Sequence, residues 1–175
     1  MTTLMSYLAG LGLASGAGAK AFIPVLALGA FHYTDYFELS ARGRWIADPV
    51  VMVVIGILVI VEIAADAIPE VGEWLDTVGY LPKVVAGFIV LAAATGEVHS
   101  SLVELTASGL LGGGTAAVAH AVRTKVRRPF RMFAEDLHPV VGRIASVAEA
   151  GVSAAVSGTA MVLPPVSLLL PHAFL

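Results

Sequence analysis

Glu62 and Asp66 stand four residues apart inside an otherwise uncharged run, Pro49 to Pro69 of DPVVMVVIGILVIVEIAADAIPE. On a helix that spacing puts both carboxylates on one face. Two carboxylates so placed can hold a cation through oxygen ligands, or relay protons with a group that titrates near neutrality. His120 is the expected neighbour for the second chemistry. Lys20 and Glu149 are the other ionisable residues deep in apolar segments, and they are expected to pair with each other, because charges in hydrocarbon persist only when paired or solvated. Glu62 and Asp66 are expected to meet His120 or Arg123. The candidates for an ion path or ion site are therefore Glu62, Asp66, His120, Glu149 and Lys20. A competing reading makes the same groups structural ion pairs that fix helix register, with no path. Whether Glu62, Asp66 and His120 hold a metal stays open: the five histidines are scattered, HxxxH and HExxH spacings are absent, and there is no cysteine.

The elements that position these residues are expected to be membrane spans. About 20 apolar residues cross roughly 30 Å of hydrocarbon, and Pro49 to Pro69 has that length, with Asp48-Pro49 as a helix start. The whole 175-residue chain is 58% hydrophobic and 13% charged, with a mean hydropathy of +0.88; soluble domains carry about 25% charged residues. The composition predicts a single all-α membrane domain, residues 1–175, a polytopic bundle of about five spans. The first span, Leu4 to Phe31, carries Gly16, Gly18 and Pro24 and is expected to be kinked or broken. The third runs from Leu81 to Ala94, or on to Val98, and reads as plain packing. The fourth, Ser101 to Val122, contains Gly112, Gly113 and Gly114, which either break the helix or admit a neighbouring backbone. The fifth, Pro139 to Val162, stops at Pro164 and Pro165. Val71 to Tyr80 is expected to form a short interfacial helix, and Tyr33, Tyr36 and Trp45 an interfacial belt beside Arg42 and Arg44. The N-terminal MTTLMSYLAG lacks a basic n-region and reads as retained.

Arg123, Lys125, Arg127, Arg128 and Arg131 form the strongest charge cluster. Positive residues beside spans mark the cytoplasmic side, so a 123–138 loop and the N-terminus are expected there, with the basic side chains meeting lipid headgroups. Nucleic acid is not an expected partner, since a basic segment between spans is what insertion requires. Membrane lipids, further copies of the chain and a small ion are the expected partners. No cofactor motif occurs: GxSxG, Walker A and GxGxxG contexts are absent, and an enzyme is not expected.

Two features recur in order. Leu13 to Ala19 (LASGAGA) is similar to Leu111 to Ala117 (LGGGTAA), and DPVV at Asp48 to HPVV at His138. The pattern suggests inverted repeat units 4–69 and 101–164 joined by the span 81–98. Further, GLASG at Gly12 with AFIP at Ala21, EIAADAIP at Glu62 with Asp76 beyond it, KVVAG at Lys83, and GGGTAAVAHAVRTKVR at Gly112 together resemble a family of small bacterial integral membrane proteins known as domain of unknown function 4126. The resemblance implies a bacterial inner-membrane bundle and draws attention to Glu62, Asp66, Pro69, Asp76, His120, Arg123 and Arg127. The chain departs from the pattern at Lys20, where an apolar or aromatic residue is expected, and at Val84, where proline is. No activity follows from the resemblance. The preferred expectation is passage of a small ion or proton; the alternative is a non-transporting scaffold or lipid- or partner-binding protein.

Overall fold

The computed structural model of the chain describes residues 3–34, 37–39, 43–96, 101–135 and 139–167, and among these there is helix and no strand. In order come α1 (Thr3–Ala19), α2 (Phe22–Phe31), a 3-10 turn (Arg44–Ala47), α3 (Pro49–Asp66), α4 (Pro69–Val78), α5 (Tyr80–Thr95) and α6 (Leu102–Ser108). A π-helical turn (Gly109–Gly113) then leads into α7 (Gly114–Glu135), α8 (Pro139–Val162) and the single-turn α9 (Pro164–Ser167). Among the described residues, three stretches are long and apolar enough to cross a membrane, Pro49–Asp66, Leu102–Arg127 and Val140–Val162, beside the shorter apolar helices of α1, α2 and α5.

α1 is the centre of the bundle, packed on α5, α7 and α8. Its buried face is Ala9, Leu13, Ala14 and Ala17, set against Val90, Ala93 and Ala94 of α5, Ala116 of α7 and Ala160 of α8. Such small side chains let helix backbones approach closely, the packing that substitutes for a hydrophobic drive inside a bilayer. A Cβ on Gly18 would stand 2.5 Å from Ala119 Cβ and 2.7 Å from the Ala116 carbonyl oxygen, so α7 lies on α1 at this glycine. On the other side, a Cβ on Gly87 of α5 would stand 2.5 Å from the Gly112 carbonyl oxygen. Gly16 and Gly113 also pack tightly, while a Cβ on Gly114 meets nothing within 4 Å. Close packing thus accounts for Gly16, Gly18, Gly112 and Gly113 and not for Gly114.

The first segment is broken at Lys20–Ala21, one turn before Pro24. A proline ring clashes with the carbonyl four residues earlier, which here belongs to Lys20, and Pro24 then sits harmlessly in the first turn of α2. α3 begins where Asp48 accepts hydrogen bonds from the amides of Val50 (2.9 Å) and Val51 (3.2 Å), a side-chain cap that satisfies otherwise unpaired donors. Most of α3 faces outward: only 11% of its span is buried.

Two expectations need correction. The basic segment is no loop from Arg123 on, because α7 continues as helix to Glu135; residues 136–138 lie outside the described residues. α5 is more than plain packing, since its Lys83 is buried among charged groups. The short helix after α3 is observed as α4, with Trp74 exposed and Asp76 buried. Tyr33 donates its hydroxyl to the Ala47 carbonyl, and Trp45 is exposed; Tyr36, Arg42 and the C-terminal 168–175 lie outside the described residues.

Candidate functional site

The broken helix, the ends of α3 and α4, and the polar faces of α7 and α8 converge on Asp66. Its carboxylate accepts at Oδ2 from Lys20 Nζ (2.5 Å) and Arg123 Nη2 (2.8 Å), and at Oδ1 from Arg127 Nη1 (2.5 Å). Lys20 and Asp66 are 1% and 4% exposed, so these are buried ion pairs. Arg127 Nη2 also donates to the Asp66 backbone carbonyl (3.1 Å), one of the acceptors that the last turn of a helix leaves unpaired. Charge-assisted bonds of this kind are about twice as strong as neutral ones, and the planar guanidinium fork suits them.

Arg123 joins three acids. Besides Asp66 it donates through Nε and Nη2 to Glu149 Oε2 (3.2 and 2.6 Å) and through Nη1 to Asp76 Oδ1 (3.3 Å). Arg127 Nε lies 3.4 Å from Glu149 Oε1. Lys20 Nζ has a further partner in the Ser146 hydroxyl (3.3 Å), which in turn donates to the Ile63 carbonyl (3.0 Å). On α7, His120, Arg123 and Arg127 recur at three and four residues, and on α8 so do Ser146, Glu149, Ser153 and Ser157. Each set is therefore one helical stripe turned toward α1.

Glu62 serves the break itself. Its carboxylate accepts the Ala21 amide at Oε1 (2.9 Å) and the Phe22 amide at Oε2 (3.4 Å). No side chain of the local sequence caps α2, so α3 supplies from outside the acceptor that an N-cap residue usually provides, and its negative charge complements the positive end of the helix dipole.

His120 is wholly buried. Its Nε2 lies 3.1 Å from the Asp76 backbone carbonyl and its Nδ1 3.0 Å from Lys83 Nζ. A carbonyl only accepts, so Nε2 carries the proton and Nδ1 takes the lysine N–H; the imidazole is neutral. Tyr80 packs edge-on against its ring, centroids 4.5 Å apart. Among the described residues, the cations Lys20, Lys83, Arg123 and Arg127 and the anions Glu62, Asp66, Asp76 and Glu149 gather here.

The expected pairings fare differently. Asp66 does meet Arg123. Lys20 meets Asp66 and not Glu149, because α1 ends at Lys20 and delivers its ammonium to the end of α3, while Glu149 is reached from α7 beside it. His120 meets Lys83 and Asp76, not Glu62 or Asp66. Of the basic residues expected at headgroups, Arg123 and Arg127 turn inward and Lys125 is exposed; the side chains of Arg128 and Arg131 lie outside the described residues. Sequence reasoning missed Lys83 and placed Arg127 on the surface. The spacing of Arg123 and Arg127 from His120 was the signal that could have placed them on one buried stripe.

Among the described residues, no group of three or more His, Asp or Glu side chains could hold a metal. Two cavities adjoin the network. A chamber of about 160 Å³ is bounded by Lys20, Glu62, Asp66, Lys83 and Arg123 together with apolar residues such as Phe22, Leu58 and Val61. A groove of about 840 Å³ runs between α7 and α8 over the floor of α1, its walls apolar and one end closed by Arg123, Arg127 and Glu149.

No curated protein and no solved structure matches the chain. A family model described as a domain of unknown function, DUF4126, matches residues 7–175. With its helices, its apolar spans and a match over nearly its whole length, the chain belongs to the DUF4126 family.

Proposed function

We propose that the protein is a polytopic membrane scaffold that works by holding and binding and passes no ion. The observation that supports this most is Asp66, both of whose oxygens are engaged by cations of the chain itself. A carboxylate that ligates a travelling cation must offer oxygens to it, and one that relays protons needs water or a titrating neighbour. Glu62 is likewise committed, to the α2 amides. In this reading the bundle makes about five crossings: α1 with α2 as one broken crossing, α3, α5, the α6–α7 unit, and α8. It sits in a bacterial inner membrane with the N-terminus and the basic end of α7 on the cytoplasmic side, where positive residues flank spans.

A conducting reading has one observation in its favour, the chamber of about 160 Å³ against Glu62 and Asp66, which has room for a few waters. Flux assays in liposomes separate the two. Purified protein is reconstituted and tested with protons and a panel of small cations and anions, beside the Glu62→Gln, Asp66→Asn double variant. The scaffold reading expects no flux above empty liposomes and a less stable variant. Flux that the folded double variant abolishes would replace it with the conducting one.

A further inference from the structure

The groove between α7 and α8 is a feature that the charge network leaves unexplained. α7 and α8 both lie on α1, and between Leu110–Arg127, which includes the π-helical turn, and Ala145–Val156 they enclose about 840 Å³, in the range of pockets that hold a small-molecule ligand. Both walls belong to stretches long and apolar enough to span the membrane. Gly114, with nothing within 4 Å of its Cβ position, lies in the wall about 13 Å along α7 from Arg123. An aliphatic chain suits such walls, and the polar end dictates what the chain carries.

That end presents a guanidinium pair and a carboxylate together. Glu149 is 21% exposed and Arg123 11%. A purely anionic headgroup would displace Glu149 from Arg123 and Arg127 and leave that carboxylate without these cations, which is costly. A headgroup with both signs answers both groups: its phosphate can approach the guanidinium edge while its ammonium approaches Glu149.

We infer that the groove binds one zwitterionic phospholipid, aliphatic chain along α7 and α8 and phosphate-ammonium headgroup at Arg123, Arg127 and Glu149. The inference goes beyond the scaffold reading and does not depend on it, since a conducting bundle could hold the same lipid.

The test is competition binding. Delipidated protein in detergent is offered an equimolar mixture of phosphatidylethanolamine and phosphatidylglycerol with matched chains, and bound lipid is counted by native mass spectrometry. One phosphatidylethanolamine per chain is expected, in preference to phosphatidylglycerol. Gly114→Phe, whose Cβ meets nothing within 4 Å and whose ring adds bulk to the groove wall, is expected to lower that binding about tenfold, and Glu149→Gln, which removes one negative charge, to shift the preference toward phosphatidylglycerol by about tenfold, the scale of one charge-assisted bond. Circular dichroism checks that both variants keep their helix. Equal retention by folded Gly114→Phe, a wild-type preference for phosphatidylglycerol, or no retained lipid would overturn the inference. So would a second copy in the groove. The chain has no cysteine, so disulfide cross-linking of a single Val118→Cys variant reads that outcome directly.

Discussion

At the scale of single residues, Asp66 is the position on which most depends. Replacing it with Asn leaves Lys20, Arg123 and Arg127 facing a neutral amide in a buried place. Removing one partner of a buried pair costs about 3–5 kcal/mol. Asp66→Asn is therefore expected to lower the unfolding temperature in detergent far more than Lys125→Ala, a change at an exposed side chain; equal effects would mean that the network contributes little. The importance of Asp66 was legible in the sequence, because a carboxylate at the end of an apolar helix demands partners. Their identity was not. Lys20 and Glu149 were matched by apparent depth, and depth along a straight helix is the wrong coordinate when Pro24 ends that helix at Lys20. Lys83 escaped notice because a lysine in the first turn of an apolar helix looks like one that reaches for headgroups, and only the packing of α5 on α7 turns it inward.

Helices carry the next set of expectations. α2 begins without a cap of its own, and Glu62 of α3 closes its first turn. Losing a capping acceptor costs about 1 kcal/mol, so Glu62→Ala is expected to raise hydrogen exchange at the Ala21 and Phe22 amides severalfold and leave the middle of α5 unchanged. Uniform acceleration would instead point to global destabilisation. Among the glycines, Gly87→Val is expected to push α5 off the π-helical turn, because its added carbons fall on the Gly112 backbone. Gly114→Ala is expected to be neutral or to stabilise by up to about 1 kcal/mol, since alanine favours helix and the space is open. Thermal unfolding of the two variants checks the contrast. Glycine-rich runs were visible in the sequence; which glycine touches a neighbouring backbone depends on helix phase, and Gly109–Gly113 winds as a π-helix that shifts the phase.

For the molecule as a whole, the described charges include a buried set, Lys20, Asp66, Asp76, Lys83 and Arg127, and exposed ones such as Glu38, Arg44, Asp48 and Lys125. Salt screens exposed charges within about 10 Å at 0.1 M and reaches buried pairs much less. The unfolding temperature is thus expected to change little between 0.05 and 1 M sodium chloride at fixed detergent, and a large drop would place the Asp66 network in contact with solvent. Composition made an all-helical chain, with stretches apolar enough to cross a membrane, legible at once. It could not separate a loop from a helix at Arg123–Arg131, since charge there suits either, and α7 runs through it as helix.

The break at Lys20–Ala21 also bears on biogenesis. A nascent chain that has been synthesised as far as Thr95 already contains Lys20, Glu62 and Asp66, so α2 can be closed and one ion pair made. Arg123 and Arg127 arrive some thirty residues later, and Glu149 later still. Until then Asp66 lacks both guanidinium groups, and the half-made bundle is without contacts that hold the finished one. A chain truncated after Thr95 is expected to be cleaved by a membrane protease much faster than the full chain, a difference that pulse-chase labelling would read. The same carboxylate that locks the mature fold would then mark an unfinished one for removal.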